Sequence, residues 1–145
     1  MEHVASASTW APRAPVKRLA WGLLALFMIM MGVLHFALAA FFVRAMPPWL
    51  PWHLELVYLS GVFEIAGGVG LLIPRLRVAA GWGLVALLVA VFPANVHMAT
   101  SGVQMTAEPM DAWIWWARLP FQALFIAWAW WMTRPDPVAV TRRVA

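Results

Sequence analysis

The residues that could do chemistry in this chain are few, and they lie where polar side chains are expensive. Glu64 falls near the middle of the apolar run Leu54–Ile73. An acidic residue at the centre of a membrane helix costs roughly 2.5 to 3.5 kcal/mol on insertion, so it calls for a partner or a purpose. Three further apolar runs carry His35, Asn95, and the pair Arg118 and Gln122. At a rise of ~1.5 Å per residue, Glu64 lies about 15 Å below the outer end of its run, His35 about 10 Å, and Asn95 and Arg118 about 8 Å. Polar side chains from four helices at compatible depth, between the midplane and the outer surface, predict one shared pocket.

The chemistry open to such a pocket is hydrogen bonding, ion pairing and proton handling. Arg118 is the natural partner for Glu64, and an ion pair between them is expected, either to fix helix packing or to form part of a pocket for a ligand head group or a proton path. Arg118 and Gln122 are four apart and share a face with Trp115 and Ala129, with Pro120 between them able to loosen the backbone. The face bearing Glu64 reads Val57, Ser60, Gly61, Glu64, Gly67, Gly68 and Leu71, so its small residues turn Glu64 towards protein rather than lipid. Asn95 and His97 are about 200° apart on a helix, so only one faces the bundle squarely. The small residues Gly83, Ala86, Ala90 and Ala94 favour His97. A His35–His97 pair could ligate haem, although a hydrogen-bonded packing role is the plainer reading of His35. The histidines and Glu64 show no metal-ligand spacing. There is no phosphate-binding loop and no nucleophile–base pair, and no intrinsic cofactor is indicated.

These residues need long apolar elements to hold them. The 145-residue chain is 64% hydrophobic and only 11% charged, which excludes an ordinary soluble domain. The absence of Cys removes disulfides, thiol relays and thiolate metal sites. Four runs, about 19–43, 54–73, 78–98 and 113–132, are each near the ~20 residues that span a bilayer as a helix. Pro47, Pro48 and Pro51 separate the first two, and Pro74–Arg77 forms a tight turn before the third. The expected fold is all-α, an integral membrane four-helix bundle over 19–132, with tails 1–18 and 133–145. A signal peptide competes for the first run, but the run is longer than a signal's apolar core. The repeated WGLLAL and WGLVAL at Trp21 and Trp82 suggest a parallel duplication.

Charge sets the orientation. Arg13, Lys17, Arg18, Arg75, Arg77, Arg134, Arg142 and Arg143 lie on one side, and Arg44 alone on the other, which predicts that both termini are cytoplasmic. The net charge of +4 is thereby explained without nucleic acid. Trp49, Trp52, Trp113, Trp115 and Trp116 are expected at the outer interface, and Trp21, Trp82, Trp128, Trp130 and Trp131 at or near the inner one.

The segments GVLHF (Gly32–Phe36), MPPWLP (Met46–Pro51), YLSGVFEIAGGVGLLIP (Tyr58–Pro74), VFPAN (Val91–Asn95) and RLPFQ (Arg118–Gln122) occur in that order and spacing. In these the chain resembles the DoxX-like four-helix membrane proteins of bacteria, from about Gly32 to Met132. The resemblance makes His35, Glu64, Asn95, Arg118 and Gln122 the polar positions of the pattern, and so favours Asn95 over His97. It implies a multi-pass protein of the bacterial inner membrane and a quinone-linked redox subunit, working with a redox partner or as a homo-oligomer. The alternatives are a non-catalytic membrane anchor or assembly partner, and a small oligomeric transporter.

Overall fold

The computed structural model describes residues 15–102 and 111–134. The outermost parts of both expected tails, and most of the third connector with Glu108, lie outside the described residues. All regular structure within them is helical: α1 (Pro15–Ala37), α2 (Ala39–Arg44), α3 (His53–Leu72), α4 (Arg77–Ala90), α5 (Phe92–Thr100) and α6 (Ala112–Met132).

Two of the four expected runs are broken. The first is already helical at Pro15, ahead of the expected Leu19. It is interrupted at Leu38 (φ −122°, ψ 36°), and α2 continues in a new direction. No Pro or Gly stands at this break. Its effect is on His35 and Phe42. Seven residues apart on a straight helix they would be separated by about 10.5 Å along the axis, yet their rings stack with centroids 3.9 Å apart. The other break, at Val91 between α4 and α5, has a sequence cause. Pro93 has no N–H to offer Val89, so the helical ladder cannot run through. α3 opens on Trp52, which adopts a left-handed conformation (φ 54°) after the proline-rich turn.

Three helical stretches are long and apolar enough to cross a membrane: Pro15–Ala37, His53–Leu72 and Arg77–Thr100. α6, at 21 residues, is as long, but Arg118, Gln122 and Pro120 interrupt its apolar character. Leu19, Leu26, Val62, Leu72, Val89 and Leu124 are all exposed on the outside of the helices, which suits contact with acyl chains rather than water.

Packing follows the small residues. α1 and α3 make the most extensive contact, with Gly32, Gly61 and Gly68 at the crossing. α3 then meets α4 through Gly67 against Leu84 and Gly70 against Ala80. α4 lies on α6, where Gly81 faces Thr133 and the Ala129 carbonyl. The main core (Leu24, Met28, Leu71, Leu84, Ala129 and Met132 among others) fills the end of the bundle where the described chain begins and ends. Lys17 fastens that end: its Nζ donates to the Arg134 carbonyl at 2.7 Å and lies 5.8 Å from the centre of the Trp131 ring. A smaller cluster of Ala45, Met98, Ala99 and Trp115 closes the opposite end.

The tryptophans divide more sharply than expected. Trp49, Trp52, Trp113 and Trp116 are exposed at one end, and Trp82, Trp130 and Trp131 at the other. Trp115 and Trp21 instead turn inward, 5% and 6% exposed, and each carries a guanidinium over its ring: Arg118 at 5.3 Å and Arg77 at 4.0 Å. Both pairs have the geometry of a cation–π contact, and both rings serve the core rather than an interfacial belt.

Candidate functional site

Between the two core clusters lies a cavity of about 540 Å³. His35 of α1, Glu64 of α3, Asn95 of α5, and Arg118 and Gln122 of α6 all line it. The five polar residues singled out in the sequence therefore line one cavity. Most of the remaining lining is apolar and soft, with Met28, Met31, Met46 and Met98 and the rings of Phe63 and Phe125. Ser60, on the small-residue face of α3, also lines it.

The expected ion pair between Glu64 and Arg118 is not what forms. The basic group beside Glu64 is His35, whose Nδ1 lies 3.0 Å from Glu64 Oε2. The cause is helix adjacency: α1, not α6, packs against the Glu64 face of α3, because Gly32 and Gly61 let the two backbones approach. Arg118 is held over Trp115 and has no carboxylate within salt-bridge distance among the described residues. Among the described residues it is a cation lining the cavity without an acidic partner.

The His35 geometry fixes one proton. Nδ1 is 2.9 Å from the Met31 carbonyl and 3.0 Å from Glu64 Oε2. The Met31 carbonyl can only accept, so the hydrogen bond there is made by an Nδ1–H. One hydrogen cannot point squarely at two oxygens, and Glu64 Oε2 is left buried with no aligned donor. The stacked Phe42 covers the imidazole face and holds the ring in this position.

On the opposite wall, Gln122 ties α6 to the break in α4–α5. Its Nε2 donates to the Leu88 carbonyl at 2.5 Å, and its Oε1 accepts from Asn95 Nδ2. Leu88 lies one turn before the break at Val91, where a side-chain amide can satisfy backbone left irregular in an apolar setting. The choice between Asn95 and His97 is thereby decided for Asn95. His97 turns away, its Nδ1 2.8 Å from the exposed Ser101 hydroxyl, so the small residues of this run did not mark its inward face at that depth. A His35–His97 haem pair is excluded by this orientation. Among the described residues, no cluster of three or more His, Asp or Glu is placed to hold a metal ion.

Replacing Gln122 by leucine removes both bonds at once and strands the Leu88 carbonyl and the Asn95 amide. Such groups cost about 1 to 3 kcal/mol in water-soluble proteins and less where neighbours in a membrane supply substitutes. A loss of about 1 to 2 kcal/mol in detergent unfolding is expected, with Gln122→Glu retaining part of it because an oxygen still accepts from Asn95.

The cavity reaches the molecular surface sideways. Leu59, Phe63 and Phe121 line it and are 49%, 53% and 60% exposed. These openings lie on the apolar flanks of α3 and α6. α3 and α5 make no backbone approach, so the gap beside Phe63 is not closed by helix packing.

A family model described as a domain of unknown function, DUF8561, matches residues 24–133. The matched stretch contains all five polar pocket residues and both helix breaks. No curated protein and no solved structure matches the chain.

Proposed function

The chain belongs to the DUF8561 family, and we propose that it is a multi-pass membrane protein that holds the head group of a quinone in the cavity between α1, α3, α5 and α6. One observation carries this reading: a mostly apolar cavity of about 540 Å³, open on apolar flanks, lined by the polar side chains of His35, Ser60, Glu64, Asn95, Arg118 and Gln122. That volume lies within the range of small-molecule sites. A quinone is an apolar ring with carbonyl oxygens, and Arg118 and Asn95 can donate to such oxygens. Glu64 and His35 are placed to accept or deliver a proton. The motif resemblance to DoxX-like proteins supports the same ligand class, and with it a role beside a redox partner in the bacterial inner membrane. In this reading α6 is the fourth span. The arginine-rich end fastened by Lys17 and Arg134 is cytoplasmic, as the distribution of Lys and Arg favours.

The test is to purify the full chain in a mild detergent, extract it, and identify the bound small molecules. Quinone is expected at a substantial fraction of one per chain. Its content should fall at least several-fold in Arg118→Ala, a variant that removes a cation lining the cavity and leaves the glycine-mediated helix crossings alone. An extract with no quinone, together with no saturable binding of added quinone, refutes the reading.

A further inference from the structure

We infer that the cavity is loaded and emptied through the gap between α3 and α5, and that its occupant carries a hydrocarbon chain that stays in this gap and in the lipid beyond it. The inference rests on the head-group reading above and deepens it: the ligand is a chain-bearing amphiphile, and the residues that admit it are named. The gap follows from the break at Val91. Up to that point α4 lies on α3, with Gly67 against Leu84 and Gly70 against Ala80. Pro93 then interrupts the helical ladder, and α5 packs on α6 instead, where Asn95 and Gln122 are hydrogen-bonded. No Cα of α5 comes within 8 Å of one in α3. Leu59 and Phe63 on the α3 side, and Ala90, Pro93 and Ala94 on the other, all line the cavity, and none of the five has a polar side chain. Leu59, Phe63, Ala90 and Pro93 are also exposed at the molecular surface. Towards either end of the bundle the described residues are packed instead, around Leu24, Leu71 and Leu84 at one end and around Met98 and Trp115 at the other. The cavity's volume of about 540 Å³ suits a ring with a short length of chain and does not enclose a polyisoprenoid. A chain threaded through an apolar gap into lipid stays among apolar groups throughout, so its length carries no solvation penalty.

The experiment uses the full chain in lipid nanodiscs and two probes with the same benzoquinone ring, one bearing a decyl chain and the other a decaprenyl chain. Affinities are referred to mole fraction in the lipid, so that partitioning is not counted as binding. The two should agree within about twofold, because only the ring and the first part of the chain are held. A fall of about tenfold or more for the decaprenyl probe overturns the inference, since the chain is then enclosed, and leaves the head-group site standing. The passage itself is read from the release of bound decyl probe into excess empty vesicles. Ala90→Phe and Ala94→Phe each put a ring into the gap. Each should slow release about tenfold while equilibrium affinity changes by about twofold or less, because a narrowed passage hinders entry and exit alike. Gly83→Phe is the control: Gly83 is exposed on α4, lies outside the cavity lining, and a Cβ there meets nothing within 4 Å. It should release at the rate of the unaltered chain. Unaltered release from folded Ala90→Phe and Ala94→Phe variants overturns the inference. Failure of both probes to bind the unaltered chain overturns the inference and the head-group reading together.

Discussion

Substituting alanine for Gly32 is expected to stop α1 and α3 from closing on each other, with a loss of about 3 kcal/mol or more in unfolding measured in mixed micelles. A Cβ at this position would sit 2.6 Å from the Gly61 carbonyl oxygen and 2.6 Å from Ile65 Cγ1. Ile65 can change rotamer, but the Gly61 carbonyl is backbone in the middle of a helix and cannot. The contact is reciprocal: a Cβ on Gly61 would meet the Gly32 carbonyl and His35 Cβ, each at 2.9 Å. The same crossing sets His35 beside Glu64, so ligand binding should fall together with stability. Gly22 and Gly83 supply the control, since a Cβ at either meets nothing within 4 Å. Alanine there should be neutral, or gain up to about 1 kcal/mol from helix propensity. Should Gly32→Ala unfold with the same profile as Gly83→Ala, close backbone approach is not what joins α1 to α3.

That crossing also marks the limit of what the sequence makes readable. The lengths of apolar runs, the prolines at 47, 48 and 51, and the proline at 93 announce elements and interruptions, because chain geometry acts locally. Depth along each run is likewise a local quantity. It points His35, Glu64, Asn95 and Arg118 to one level, and Gln122 follows on the face of Arg118; all five line the cavity. Partnership is not local. Opposite charge alone pointed Glu64 at Arg118, whereas the glycines of α1 and α3 bring His35 to it instead. The motif Gly32 to His35 was visible, but only the fold says that its glycine meets Gly61. The bend at Leu38 has no residue signature, and it creates the ring stack that holds His35 in place. Tryptophans near span ends read alike, and only the packing separates Trp115, which carries Arg118, from its exposed neighbour Trp116.

The His35–Glu64 pair separates a site from a mere packing device, and the cycle that does so has a large expected signal. Either residue alone, removed as His35→Leu or Glu64→Leu, leaves a buried polar group beside hydrocarbon. Breaking a buried pair in this way costs about 3 to 5 kcal/mol. Removing both together should recover most of that loss, because a well-packed apolar pair is often as stable as the ion pair it replaces. The two leucines fit the surroundings, since Phe42, Met28 and Met31 already line that wall. Stability thus reports the coupling, and ligand content reports the purpose. The double variant is expected to fold and to lose bound quinone, because Glu64, which lines the cavity, is gone. A double variant that folds and keeps both ligand and cellular function would mean that the pair only holds α1 against α3, as in a membrane anchor. In that case Arg118 would be left as the one charged group lining the cavity among the described residues, and ligand recognition would have to be sought on its side, among Asn95, Gln122 and the break at Val91.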